Sequence, residues 1–176
     1  MMRDNKLRSL WAANKKAVNG WLAIPDSFAA EVMALQGYDT LTIDLQHGLI
    51  DTRVLVPMLQ AIQSTPTMPM VRVPWLEPGV IMKTLDAGAQ ALICPMVNTR
   101  EEAQRLVQYA RYAPLGARSF GPVRAGLVHG ADYAEAANAD TVVFAMIRYS
   151  PARVHTSSMG RCMVVRLGRR WRLQSR

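Results

Sequence analysis

Short apolar runs alternate with amphipathic segments along the first 147 residues. Five of these runs carry few charges and are flanked by glycine, proline or polar residues, which predicts strands over 20–24, 40–44, 69–74, 91–97 and 141–147. Between two of them Leu55, Leu59 and Ile62 recur at spacings of four and three, which predicts a helix over 52–63. Similar patterns and end signals predict helices over 3–17, 28–36, 78–86, 98–112 and 133–138.

Strands that alternate with helices predict the α/β class, with a parallel sheet and right-handed crossovers. Five strand-helix units fit either an open sheet or part of an eight-stranded barrel, because a complete barrel usually takes about 250 residues. The chain has 176 residues, of which 50% are hydrophobic and 19% charged, so we expect a globular protein.

The composition points to a soluble, cytoplasmic protein with no membrane partner. No apolar stretch reaches the roughly 18 residues that a membrane span needs, and residues 1–6 lead into a polar segment. Cys94 and Cys162 have neither metal-site nor disulfide-framework spacing, and we expect both to be free thiols.

The net positive charge of the chain comes from its C-terminal tail. Residues 148–176 hold eight arginines and neither lysine nor acid, so the net charge of +8 belongs to this segment. The tail also lacks helix and strand periodicity. We therefore divide the chain into a domain over 1–147 and a basic tail over 148–176, which we expect to be irregular.

The stretch from Asp39 to Asp51 carries the strongest candidate chemistry. The predicted strand at 40–43 ends in Asp44, followed by Gln46 and His47. Ligands bind at the carboxyl ends of parallel strands, so a carboxylate and an imidazole there are placed to act on one substrate. The alternative is that Asp44 caps a turn and that His47 is an ordinary loop histidine.

Three arginines in the domain also need an explanation. Arg72 is the lone charge in the predicted strand at 69–74, and its guanidinium must find an anion, either a ligand carboxylate or a structural ion-pair partner. Arg118 and Arg124 lie in a long glycine-rich connection over 115–125, where they would bind an anion or face solvent.

Together these residues resemble the HpcH/HpaI class II aldolases of the type that cleaves 2,4-dihydroxyhept-2-ene-1,7-dioate, within the pyruvate and phosphoenolpyruvate barrels. The resemblance covers about residues 5–147. It is carried by residues 20–22, 37–47, 71–73, 85–90, 95–97 and 112–118.

The resemblance implies a (β/α)8 barrel, here present as about five units, and a divalent metal (Mg, Mn or Co) that binds a small keto acid. It implies reversible cleavage of a 2-keto-4-hydroxy acid to pyruvate and an aldehyde in a homo-oligomeric enzyme. It makes His47 the general base and Arg72 the cation beside the enolate. Asp44 and Asp86 would orient the histidine, Asp86 across a subunit contact, and Trp21 would line the pocket.

The chain departs from the family pattern at the metal. The family holds it with a glutamate at the end of the fifth strand and an aspartate in a Gly-Pro-Ala-Asp sequence. Arg148 follows the fifth strand here, and Gly-Pro-Ala-Asp does not occur in the sequence. A guanidinium would repel a divalent cation, so we expect no metal at the usual position and impaired lyase activity.

Two other functional hypotheses stay open, and one physical expectation follows from the missing units. In the first, the chain is a non-catalytic subunit of an oligomer. In the second, the tail binds nucleic acid through its arginines, Tyr149 and Trp171. An open remnant of a barrel leaves apolar sheet edges, which predicts poor solubility or self-association.

The tail's composition predicts a shifted reading frame after codon 147. Translating the coding DNA in the other two frames should recover a glutamate followed by a Gly-Pro-Ala-Asp sequence. If neither frame encodes them, this origin of the tail is wrong.

Overall fold

The computed structural model describes residues 5–148 and 162–166. Its helices are α1 (Lys6–Ala12), α2 (Ser27–Ala34), α3 (Thr52–Gln63), α4 (Pro78–Asp86), α5 (Arg100–Ala110), α6 (Val123–His129) and α7 (Tyr133–Asp140). Its strands are β1 (Asn19–Leu22), β2 (Thr40–Asp44), β3 (Met68–Arg72), β4 (Ala91–Cys94), β5 (Val142–Arg148) and β6 (Cys162–Arg166). Within these residues, every helix is too short or too polar to cross a bilayer.

The strands form one sheet in the order β1-β2-β3-β4-β5-β6. The first five pair in parallel, and each is separated from the next by at least one helix, which confirms the α/β prediction. The register sets Asp44 beside Arg72, so the last residues of β2 and β3 lie at the same edge of the sheet. The candidate residues of both strands are thereby brought together.

Helices cover one face of the sheet with two apolar clusters. The cluster under α2 and α3 includes Leu41, Ile43 and Leu59, and the cluster under α4 and α5 includes Leu92 and Leu106, all of them fully buried. All five residues of β2 are buried, as the uncharged start of this strand predicts. Packing on both faces therefore fixes the strand that ends in Asp44.

Helix α1 closes the amino end of the sheet, and it is shorter than the helix predicted over 3–17. Leu7 packs against Met68 and Val142, and the Asn5 amide donates to the carbonyl oxygens of Gln90 and Asp140. The helix ends at Ala12 because Asn14 adopts a left-handed conformation, with φ of 54°.

Two segments differ from the predictions for local reasons. β4 ends at Cys94 rather than at residue 97, because Pro95 has no N–H and Met96 is left-handed, with φ of 55°. Cys94 is buried and free, as predicted, and its burial raises the pKa of the thiol to about 12. Helix α6 begins inside the connection that was predicted to be a loop, directly after Pro122.

Part of the tail is also regular. Residues 162–166 form β6, which pairs antiparallel to β5, whereas the tail was predicted to be irregular; for these five residues that prediction is wrong. The remaining tail residues, including Tyr149 and Trp171, lie outside the described part of the chain.

Gly116 is required by a close backbone approach, which generates a stability prediction. A Cβ at this position would lie 2.4 Å from the Arg111 carbonyl oxygen and 2.6 Å from that of Gln108. Both oxygens already accept backbone hydrogen bonds from Arg118 and Ala117. Gly116→Ala should therefore lower the free energy of unfolding by about 1–3 kcal/mol in urea denaturation.

The matched control is Gly121→Ala, where an added Cβ meets nothing within 4 Å. Equal stability of the two variants would show that the connection relaxes freely around residue 116.

Candidate active site

Asp44 is the centre of the candidate site, and Arg72 is its main partner. Asp44 is the last residue of β2 and is 2% exposed. Its Oδ1 accepts from Arg72 Nε at 2.8 Å and its Oδ2 from Arg72 Nη2 at 2.5 Å. The pair is therefore bidentate and largely buried, the geometry in which a guanidinium binds a carboxylate most strongly.

Trp21 completes the group from the end of β1. Its Nε1 donates to Asp44 Oδ2 at 3.1 Å, and the Arg72 guanidinium carbon lies 4.9 Å from the centre of its ring. The indole thus contacts both charges, as a hydrogen-bond donor to the carboxylate and as a cation–π partner of the guanidinium. We call Trp21, Asp44 and Arg72 the strand-end site.

Asp44 also shapes the turn that follows β2. Its Oδ1 accepts from the backbone N–H of Gln46 at 3.0 Å and of His47 at 3.2 Å. Gly48 is needed next, because a Cβ there would lie 2.3 Å from the Asp44 carbonyl oxygen. One carboxylate therefore binds Arg72 and also fixes the backbone that carries His47.

These contacts explain the ionisation of Asp44. Burial opposes the charged form, but the hydrogen bonds from Arg72, Trp21 and the two backbone N–H groups outweigh it, and they hold the pKa of this carboxyl well below its usual value. Asp44 is therefore an anion at any physiological pH. It neutralises Arg72 while leaving donors available, because it accepts two of the five guanidinium N–H groups.

The predicted site residues are only partly brought together. Trp21, Asp44 and Arg72 are in contact, and His47 reaches Asp44 through its backbone, with its side chain exposed. Arg72 has the structural ion pair that was one of its two alternatives. Orientation of the imidazole by Asp44 stays a prediction, since the contact shown is with the His47 backbone.

Asp86 lies at the amino end of the sheet, opposite the strand-end site. It is the last residue of α4, and the helix runs from the carboxyl end of β3 back to the amino end of β4. Its Oδ1 accepts from Arg118 Nη2 at 2.6 Å, and the Arg118 side chain is fully buried. Within one chain Asp86 therefore does not meet the strand-end site, and its role across a subunit contact stays a prediction.

Sequence reasoning missed the cluster that surrounds Arg118. Tyr133 Oη lies 3.2 Å from both Arg118 Nη atoms, and the guanidinium carbon lies 4.4 Å from the centre of the Tyr112 ring. The anion that Arg118 meets is thus a carboxylate of the same chain. Arg124 instead donates to the Ala87 carbonyl oxygen and to Gln63 Oε1. Arg118 and Arg124 therefore both join the segment that carries them to the C-terminal end of α4.

The residues at the strand-end site do not fit a divalent metal. The described part of the chain contains no group of three or more His, Cys, Asp or Glu side chains that could hold a metal ion. Asp44 is saturated by Arg72, Trp21 and two backbone N–H groups. β5 ends at Arg148, where the resemblance places a carboxylate ligand.

Comparison with known proteins decides the family. The model of the HpcH/HpaI aldolase/citrate lyase family matches residues 20–151. The chain belongs to this family. A hydroxypyruvate/pyruvate aldolase of Rhizorhabdus wittichii is 46% identical over 143 residues, which are 81% of this chain and 57% of that protein. A 4-hydroxy-2-oxo-heptane-1,7-dioate aldolase of Salmonella dublin is 38% identical over 66% of this chain and 44% of its own length.

Solved structures agree with the family assignment. An HpcH/HpaI aldolase/citrate lyase family protein from Burkholderia cenocepacia superposes with a TM-score of 0.75 at 33% identity, covering 82% of this chain and 60% of that structure. Macrophomate synthase gives 0.69 at 27% identity, covering 80% and 51%. The chain spans about half the length of its relatives, and its five parallel units fit the predicted partial (β/α)8 barrel.

The HpcH/HpaI family includes metal-dependent class II aldolases that act on small keto acids and are typically oligomeric. The specific metal, the substrate and the residue roles in this chain stay predictions.

The depressed pKa of Asp44 predicts how stability depends on pH. The stabilisation from its charge is fully present above the unfolded value of about 3.8 and is lost as the pH falls towards the lower folded value. Asp44→Asn should cost about 3–5 kcal/mol of unfolding free energy at pH 7, because Arg72 loses its buried partner. This difference from wild type should shrink below about pH 4 by up to about 1.4 kcal/mol per pH unit.

Urea denaturation of both proteins between neutral and acidic pH measures the difference. A constant gap between them over that range would mean that the ionised Asp44 is not preferentially stabilised in the fold.

Proposed function

We propose that this chain binds a small 2-keto acid at the strand-end site, and that its carbon-carbon lyase activity is impaired. The supporting observation is the bidentate pair of Asp44 with Arg72 against Trp21, at the carboxyl ends of three neighbouring strands. In this architecture ligands bind at these strand ends. The pair holds a guanidinium rigidly where a substrate would lie.

Arg72 is the residue proposed to recognise the ligand. A 2-keto acid presents a carboxylate and a neighbouring carbonyl oxygen, both of which accept hydrogen bonds. The guanidinium keeps N–H groups beyond the two that Asp44 accepts, and its charge is permanent. Trp21, which is 44% exposed, provides an apolar wall beside these donors. Keto-acid binding thus needs only side chains that are already in position.

Aldol cleavage would add His47 and the developing charge on the keto acid. A base removes the proton from the C4 hydroxyl, the C3–C4 bond breaks, and its electron pair passes into the C2 carbonyl as an enolate. The C4 fragment leaves as an aldehyde, and protonation of the enolate at C3 gives pyruvate. His47 is the proposed base, since imidazole accepts protons near neutral pH, and Arg72 would stabilise the enolate oxygen.

The side chains at the strand-end site indicate that this chain catalyses aldol cleavage slowly. The family relies on a metal to polarise the carbonyl, and the residues at the strand-end site do not supply its ligands. Arg72 alone would carry the charge of the enolate. The same observation favours the alternative of a non-catalytic oligomer subunit that has kept its ligand site.

Binding of pyruvate tests the proposed site. In isothermal titration, Arg72→Met should weaken pyruvate binding by at least about tenfold, because a charge-assisted hydrogen bond contributes about 1.5–3 kcal/mol. Arg53→Met removes an exposed arginine from α3 and is the matched control, which should bind like wild type. Equal affinities of the two variants, with circular dichroism showing both folded, would reject Arg72 as the keto-acid ligand.

An aldol cleavage assay tests the impairment. With added Mg²⁺, Mn²⁺ or Co²⁺, turnover of 4-hydroxy-2-oxo-heptane-1,7-dioate should be roughly 10³-fold or more below that of an intact family member, since a missing group that stabilises the enolate charge costs about that much. His47→Asn should abolish any residual rate without changing pyruvate binding. Full activity in any of the three metals would contradict the proposed impairment.

A further inference from the structure

The turn after β2 holds His47 and Leu49 in fixed positions beside the strand-end site. The Asp44 carboxylate accepts from the backbone N–H of His47 at 3.2 Å, and the Leu49 N–H donates to the Ala23 carbonyl oxygen at 3.0 Å. Between them, a Cβ on Gly48 would lie 3.1 Å from the Ala23 Cα. The backbone of this turn is therefore packed tightly against the segment that follows β1.

Leu49 presents an apolar side chain two residues after the proposed base. It is 85% exposed, although its backbone is held by the hydrogen bond to Ala23. Ile24, the residue after Ala23, is 66% exposed. Two aliphatic side chains thus lie on adjacent loops, at the carboxyl ends of β1 and β2, where a ligand of the strand-end site would pass them.

The charges of this region are negative. Residues 18–52 contain five acids and neither lysine nor arginine. Two of these acids are exposed N-caps, since Asp51 follows Leu49 by two residues and Asp26 lies on the adjacent loop. Arg53, the next cation along the chain, lies beyond Asp51 in the first turn of α3. A carboxylate placed beside Leu49 would therefore meet like charges first.

Aldol cleavage itself places the C4 substituent of the substrate beside His47. A general base must lie within about 2.6–3.2 Å of the oxygen whose proton it takes, and the proposed role of His47 is to take the proton of the C4 hydroxyl. The C4 substituent is bonded to the carbon that carries this hydroxyl. It therefore lies next to His47, whereas the C1 carboxylate and the C2 carbonyl lie at Arg72.

We propose that this site selects 2-keto acids whose C4 substituent is apolar and uncharged, and that Leu49 is the residue that determines this choice. The released aldehyde would carry the same apolar substituent. This inference rests on the proposed function, because it takes Arg72 as the keto-acid ligand and His47 as the base. It goes further by naming the class of substrate and a specificity residue that acts through contact with the C4 substituent.

Binding of three keto acids that lack a C4 hydroxyl tests the selection without any need for turnover. In isothermal titration of the full chain, 2-oxo-4-phenylbutanoate should bind at least about tenfold more tightly than 2-oxoadipate, because its phenyl group leaves water whereas the second carboxylate of 2-oxoadipate meets like charges. Pyruvate, which has no C4, reports on the Arg72 contact alone.

Substitutions at Leu49 test whether this residue makes the choice. Leu49→Gln should lower the ratio of the two affinities at least about fivefold, because an amide replaces the apolar contact. Leu49→Arg should reverse the preference in favour of 2-oxoadipate, because a guanidinium binds the second carboxylate. Leu127→Gln is the matched control: Leu127 is 83% exposed on α6, and its substitution should leave the ratio unchanged. Circular dichroism checks that each variant is folded.

The outcomes separate this inference from the proposed function. If none of the three keto acids binds, the keto-acid site is wrong, and this inference falls with it. If pyruvate binds but 2-oxo-4-phenylbutanoate binds no more tightly than 2-oxoadipate, only the inferred selection is overturned. The same holds if folded Leu49→Gln and Leu49→Arg variants keep the wild-type ratio, since Leu49 would then not contact the C4 substituent.

Discussion

The buried carboxylate of Asp44 is the interaction on which the candidate site depends. It joins the ends of three strands, since it accepts hydrogen bonds from Trp21 on β1 and from Arg72 on β3 while it terminates β2. It also binds the backbone of the turn that carries His47. A charge removed from water in this way is stable only when its partners are all present, so the site is ordered before any ligand arrives.

The same constraint separates ligand binding from catalysis. Asp44 holds the guanidinium of Arg72 in position, and its own oxygens are occupied by this task. It is therefore not available as a metal ligand, and the end of β5 brings Arg148 rather than a carboxylate. The strand-end site of this chain thus has an ordered guanidinium but lacks side chains suited to a divalent metal in the described residues.

The described strands form an open sheet with two edge strands rather than a closed barrel. A closed barrel has no edges, but five parallel strands have two. At one end β6 supplies an antiparallel neighbour for β5. At the other end β1 is the outermost strand in the described part of the chain.

The sequence was sufficient for the features that depend on local pattern. The apolar runs located the five parallel strands, and the spacing of Leu55, Leu59 and Ile62 located α3 at residues 52–63, where it is found. Family motifs pointed to Trp21, Asp44 and Arg72, which are in contact.

Long-range partners could not be predicted in the same way. Nothing in the local sequence of Arg118 indicates that Asp86 and Tyr133 would surround it, because their contact depends on how α4, α7 and the 115–125 connection pack. Helix α6 was missed because glycine and proline in this segment resemble a loop. β6 was missed because the pairing that makes it a strand comes from β5 rather than from its own composition.

A double-mutant cycle on Asp44 and Arg72 tests the central claim most directly. The unfolding free energies of wild type, Asp44→Asn, Arg72→Met and the double variant give the coupling between the two side chains at pH 7. A buried bidentate pair should give a favourable coupling of about 2–3 kcal/mol, so the double variant should be far more stable than the sum of the single losses predicts. A coupling below about 0.5 kcal/mol would show that Asp44 and Arg72 act independently and would contradict the account of the site.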